Sequence, residues 1–190
     1  MNQRFYTRLG ESVWQERLPN GLEIRVVPKP GFAKKYAFFA TRYGGMDTRF
    51  QLEGRWLDTP PGIAHYLEHK MFDTKEGNAL QRLAQNGAEP NAFTANAMTG
   101  YYFSSTEHFI ENLEILLSFV SVPYFTDGSV AKEQGIIGQE IRMIEDSPDW
   151  QLYTRMMKAL YSASTARTSI AGTVESISHI TAQTLYDCHK

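Results

Sequence analysis

The sequence predicts an α+β fold, a mixed or antiparallel sheet with helices packed on one face, and three observations carry that prediction. Apolar and polar residues alternate in the N-terminal part, as they do in strands with one buried face. Further on, apolar residues recur at helical spacing over long runs. The two kinds of segment follow one another as strand pairs and helix pairs, the order expected of a sheet layered with helices.

The elements follow in order. SVWQERL and LEIRVVP flank Pro19-Asn20-Gly21, and Leu22, Ile24 and Val26 alternate with Glu23 and Arg25, which predicts a hairpin with one buried face. YAFFATRYGG, from Tyr36, reads as a third strand ended by paired glycines. A polar loop follows, and Pro60-Pro61-Gly62 then leads into a helix over GIAHYLEHKMF. EGNALQRLAQNGA gives a second helix, closed by Asn86-Gly87, before two strand-like runs, PNAFTANA and TGYYFSST. From Glu107 to about Val120, Phe109, Leu113, Leu116, Leu117 and Val120 mark an amphipathic helix that Pro123 ends. Another helix is expected from about Gly128 to Asp146, with Val130, Ile137, Ile141 and Ile144 on one side. Pro148 starts a further helix, DWQLYTRMMKALY, and the tail begins as a loop and turns helical after Thr181. There is no internal repeat and no linker, so one domain with a single core is expected.

Bulk properties narrow the function. A chain of 190 residues with 42% hydrophobic and 21% charged residues has the profile of an ordinary folded domain, which argues against disordered, collagenous and membrane classes. A net charge of -2 gives no reason to invoke nucleic acid or an anionic membrane as partner. Cys188 is the only cysteine, so no intrachain disulfide can form. MNQRFYTRLGESVW lacks the apolar centre of a signal peptide and no run reaches membrane-spanning length, so a cytoplasmic location is expected.

The chemistry is concentrated in HYLEH. On a helix, positions four apart differ by about 40° in azimuth and about 6 Å along the axis, so the imidazoles of His65 and His69 can converge on one ion. Glu68 lies on the same face, placed to reach a water on that ion. Catalytic zinc takes three protein ligands and keeps one position for water, so a third ligand must come from elsewhere. KEQGIIGQEIRMIED offers Glu133 and Glu140 on one side of one helix, and spacing alone does not choose between them. Gly135 and Gly138 lie between, each costing about 1 kcal/mol relative to alanine in a helix, which suggests that this face packs closely on another helix. His108, His179 and His189 are expected at the surface or in caps. An edge strand beside a metal site is a place where an extended peptide can add by backbone hydrogen bonds, a possible use for NAFTANAMTGYYF.

HYLEH has the H-x-x-E-H order of the inverzincins. The PNGL hairpin, GIAHYLEHKMF, the helix ending in NGA, NAFT, TGYYF, the helix with E-x6-E, and GTVESI also occur in family order. On these residues the chain resembles the pitrilysin and insulinase family of metallopeptidases, most nearly its bacterial YmfH-type branch. The resemblance implies that His65, His69 and Glu140 bind Zn2+, that Glu68 is the general base, and that Glu133 supports the site from behind the ligands. It also implies that Asn91, Ala92 and Phe93 pair with an extended peptide substrate. The implied activity is a zinc endopeptidase domain acting on short or unfolded peptides. A second half-domain or homologous partner chain would be needed for full activity. The alternative is a non-catalytic peptide-binding or partner subunit of the same fold. By the resemblance, residues 1–190 form one catalytic half, C-terminally incomplete relative to the family half, and SASTAR at 162–167 replaces a loop that in relatives often carries His-Pro.

Overall fold

The computed structural model describes residues 1–190, which fold as two compact units, Met1–Lys34 and Lys35–Lys190. The first is an antiparallel sheet of β1 (Asn2–Tyr6), β2 (Glu11–Arg17) and β3 (Glu23–Val26) in that order. The turn between β2 and β3 falls at Pro19-Asn20-Gly21, where Gly21 takes the left-handed φ of 89°. One strand is added to the sequence reading here and one expectation fails. β1 has no counterpart in the sequence reading, and the face of Leu22 and Val26 is not buried, since these residues are 36% and 44% exposed. Three short strands supply no second layer of their own against which an apolar face could close.

The second unit runs through β4 (Lys35–Thr41), a hairpin of β5 (Arg49–Leu52) and β6 (Arg55–Asp58), helix α1 (Ile63–Met71), the two-residue strands β7 (Asp73–Thr74) and β8 (Gly77–Asn78), and α2 (Ala79–Gln85). β9 (Glu89–Thr94) and β10 (Thr99–Ser105) follow, then α3 (Phe109–Ser121), α4 (Asp127–Glu145), α5 (Pro148–Leu160), a 3-10 turn at Thr165–Arg167, α6 (Val174–Ile177) and α7 (Ala182–His189). The polar loop expected before HYLEH therefore holds a hairpin. Its turn is Glu53-Gly54, both at positive φ (51° and 79°), the geometry of a two-residue hairpin without the Asn-Gly or Asp-Gly that would have announced it. GTVESI, expected as a loop, includes α6, closed at its start by reciprocal bonds between Thr173 and Ser176.

The principal sheet is antiparallel in the order β4-β10-β9. Alternation along β10 puts Tyr101 and Phe103 on the face covered by α1, α2 and α3, where the rings of Phe72, Tyr101 and Phe119 lie 5.2 to 5.7 Å apart. The opposite face carries Tyr36, Phe38, Tyr102 and Phe93, and Gly100 beneath them is a fitted position: a Cβ there would lie 2.7 Å from the Phe38 ring.

α1 is buried on nearly every side, with Ile63, Tyr66 and Met71 no more than 3% exposed. Its start is clamped by a segment from far along the chain. Gly62 (φ 95°) and Gly172 (φ 74°) approach so closely that a Cβ on Gly62 would stand 2.6 Å from the Ala171 carbonyl oxygen, and the Ser176 hydroxyl donates to the Pro61 carbonyl at 2.8 Å. On α3, Ile115, Leu116, Phe119 and Val120 are buried, but Leu117 is 40% exposed because the buried stripe is centred on the 112/116/119 row. On α4, Val130, Ile137 and Ile141 are buried as the spacing required. The glycine expectation is overturned: a Cβ on Gly135 or Gly138 would meet nothing within 4 Å. α4 reaches α1 through Tyr66, His69 and Lys70, which bridge a gap that bare backbones do not close. No helix is long and apolar enough to cross a membrane.

Candidate metal centre

α1 presents His65 and His69 side by side, their ring centroids 4.6 Å apart, and α4 brings a carboxylate to both. Glu140 Oε1 lies 3.5 Å from His65 Nε2, and Glu140 Oε2 lies 3.6 Å from His69 Nε2. One ligand atom from each of the three residues lies within 4.8 Å of the others. Ligands about 2.0 to 2.1 Å from a shared tetrahedral zinc stand about 3.3 Å apart, so two imidazole nitrogens and a carboxylate at these separations form a donor set that suits such an ion once the side chains draw together around it. Side-chain exposure is 12% for His65, 26% for His69 and 39% for Glu140, so the group opens toward solvent on the carboxylate side.

Glu133 takes a different place from Glu140. Its Oε1 is 3.0 Å from Nδ1 of His69, on the edge of the ring turned away from Glu140. That contact holds the Glu133 carboxyl below the usual carboxylate range. Burial disfavours protonation of His69, but the Glu133 hydrogen bond and the surrounding carboxylates win and raise its pKa. His65 shifts the other way, lowered by burial and then by His69, which favours the neutral ring a metal requires. Its Nδ1 is buried without a hydrogen-bond partner, so the ring is placed by packing and by the Glu140 contact at Nε2.

Glu68 is 8% exposed, and its Oε2 accepts a hydrogen bond from the Thr94 hydroxyl at 2.6 Å. Burial pushes its pKa up, with Thr94 and His69 opposing. Thr94 escaped the sequence reading, although alternation along NAFT turns Ala92 and Thr94 to one face and Asn91 and Phe93 to the other. β9 is an outer strand of its sheet. The Ala95 N–H bond to the Met98 carbonyl sets the ladder alternation, which directs the Ala92 N–H away from β10. Asn91 Oδ1 accepts that N–H at 2.8 Å, so the residue's own neighbour occupies the edge position. One residue past Thr94, Ala95 and Asn96 border a cavity of about 290 Å³ whose far wall is Trp150, Tyr153 and Met157 of α5. No motif in the sequence pointed to it.

The other histidines stand apart. His108 precedes α3 with φ 51°, His189 Nε2 lies 2.9 Å from the Val120 carbonyl, and His179 is exposed.

Comparison with known proteins follows the same residues. The family model "Insulinase (Peptidase family M16)" matches residues 57–174. The chain is 49% identical over 187 residues to the uncharacterized zinc protease YmfH of Bacillus subtilis, covering 97% of this chain and 44% of that one. A crystal structure of an M16-like peptidase from Alicyclobacillus acidocaldarius superposes with a TM-score of 0.91 at 42% identity, over 94% of this chain and 42% of the other. A peptidase M16 inactive domain from Pseudomonas fluorescens shares the fold, with a TM-score of 0.76 at 18% identity over 93% of this chain and 42% of that one. The chain thus spans less than half the length of these relatives. With a family model matching most of the chain, HYLEH included, the protein belongs to the insulinase family of peptidases, family M16.

Proposed function

We propose that this chain is the catalytic half of a zinc endopeptidase that cleaves short or unfolded peptides, with His65, His69 and Glu140 as zinc ligands and Glu68 as general base. The observation that carries the reading is the convergence of the three ligand atoms within 4.8 Å, beside a buried carboxylate that is hydrogen-bonded to an edge strand. When bound, zinc supplies a Lewis acid for the scissile carbonyl and lowers the pKa of a water to about 7. Glu68, its pKa raised by burial, takes the proton of the attacking water and passes it to the departing amine. Glu133 accepts the Nδ1 proton of His69, which fixes the tautomer and leaves Nε2 as the ligand atom. An extended peptide pairs along Asn91, Ala92 and Phe93, its carbonyl replacing Asn91 Oδ1 on the Ala92 N–H. The relatives' greater length supports a role for a second half-domain, in the same polypeptide or a homologous partner chain, in covering the peptide.

The test measures bound zinc and cleavage of an unstructured fluorogenic peptide by the native chain and by Glu68→Gln. Zinc retained with cleavage lost is the expected result, and equal cleavage by both would sink the mechanism. The Pseudomonas fluorescens domain, described as inactive, favours a second reading in which this fold binds a peptide or a partner without turnover. Zinc-dependent cleavage after reconstitution with a complementary half-domain eliminates that reading.

A further inference from the structure

Lys70 directly follows the second imidazole, and its side chain is 1% exposed. A lysine is almost never buried so completely unless its charge is paired. Its ammonium donates to Asp73 Oδ2 and, at 3.3 Å, to the carbonyl of Ser129. Tyr66, one helical turn earlier and fully buried, donates its hydroxyl to the carbonyl of Val130 at 2.5 Å. Ser129 and Val130 lie in the first turn of α4, one turn before Glu133. Two side chains on one row of α1 thus hold two successive carbonyls of α4. His65 and His69 form the adjacent row of α1, each one residue before a member of the clasp.

The coupling is geometric. A one-residue shift in the register of α4 displaces each side-chain position by about 1.5 Å along the axis and about 100° around it. Either movement would take Glu133 off His69 Nδ1, now at 3.0 Å, and spoil the 3.5 and 3.6 Å approaches of Glu140. Stability is a poor explanation for Lys70, because its partner Asp73 is 36% exposed, so solvent screens their attraction while the ammonium bears the full cost of leaving water. Fixing one register among several is the better-attested use of such a group.

We infer that Lys70 is a positioning residue: together with Tyr66 it locks α4 against α1 in the register that sets Glu133 on His69 and Glu140 across both imidazoles. The inference rests on the zinc reading of that group, and the experiment separates the two. In the full 190-residue chain, Lys70→Met is made alone and with Asp73→Asn, which leaves no unpaired carboxylate, and Tyr66→Phe removes the companion bond without touching a charge. Zinc dissociation constants come from competition with a chromophoric chelator, and the ligand field from the absorption of the cobalt(II) form. The hold on α4 comes from amide exchange of residues 130–134 in the metal-free protein.

The expected result for the Lys70 variants is zinc bound about tenfold more weakly, an altered cobalt spectrum and faster exchange at the start of α4, with an unchanged or higher Tm in the double variant, where no carboxylate is left unpaired. Tyr66→Phe should show a smaller change in the same direction. Unaltered zinc affinity and unaltered α4 exchange in folded Lys70→Met overturn the inference, as does weakened zinc binding that only tracks a fall in Tm across all three variants. A native chain that binds no zinc refutes the proposed function instead, and the exchange measurement then decides the clasp by itself.

Discussion

Replacing Glu133 with alanine tests how the centre is built from behind. In the native chain a carboxylate whose side chain is only 16% exposed holds His69 Nδ1 at 3.0 Å, while Nε2 of the same ring faces Glu140. A hydrogen bond to a charged group contributes about 1.5 to 3 kcal/mol, and at about 1.4 kcal/mol per factor of ten its loss should weaken zinc by about 10- to 100-fold. Outer partners of metal-bound histidines typically have effects of this size. Glu133→Gln keeps an acceptor and loses the charge, so it should fall between native and alanine. The sign of the pH dependence is also fixed. Glu133 helps raise the His69 pKa, so protons compete with zinc for the native ring at higher pH than for the variant, and the variant's deficit should narrow as pH falls. Chelator competition at several pH values, with circular dichroism to confirm the fold, reads both effects. A native zinc affinity in folded Glu133→Ala would refute the assignment of Glu133 as the support of His69.

Other residues give independent checks. Thr94→Val removes the donor to Glu68 and leaves burial unopposed by that bond, so the Glu68 pKa should rise further. With Glu68 as the proposed base, cleavage would need its carboxylate, which is present above that pKa and lost as pH falls through it, so the acidic limb of kcat/KM should move to higher pH; an unmoved limb contradicts the role of Thr94. Ala92→Pro deletes the outward N–H at an edge where proline is tolerated, so peptide binding measured by fluorescence anisotropy should be lost while the zinc dissociation constant holds. Gly135→Ala adds a methyl that meets nothing within 4 Å on an exposed part of α4, so the denaturation midpoint should rise by the equivalent of about 0.5 to 1 kcal/mol with the m-value unchanged. A loss of stability there would reveal a contact that α4 makes in solution.

The residues that were easy to read are those whose message is local. HYLEH puts two imidazoles and a carboxylate together because the helical repeat does so within two turns, and Val130, Ile137 and Ile141 face inward for the same reason. Glu133 and Glu140 were visible as a pair on one face, but spacing could not say which would meet both rings. The misreadings are equally physical. Glu53-Gly54 turns a hairpin with an uncommon residue pair, Leu22 and Val26 alternate in a three-stranded sheet yet stay exposed, and Gly135 and Gly138 suggested close packing where there is open space.

Periodicity, caps and composition act over a few residues, so the chain alone was enough to assign most helices and strands and to nominate the ligand row. The separation of α1 and α4, the distances at which Glu140, already named by the family resemblance, meets the two imidazoles, the bond from Thr94 to Glu68 and the Lys70 clasp all depend on segments far apart in the chain. No local rule reaches that far. Those distances are set when Tyr66, Lys70 and the close approach of Gly62 to Gly172 are packed at once, because each side chain settles only where its distant partner already stands.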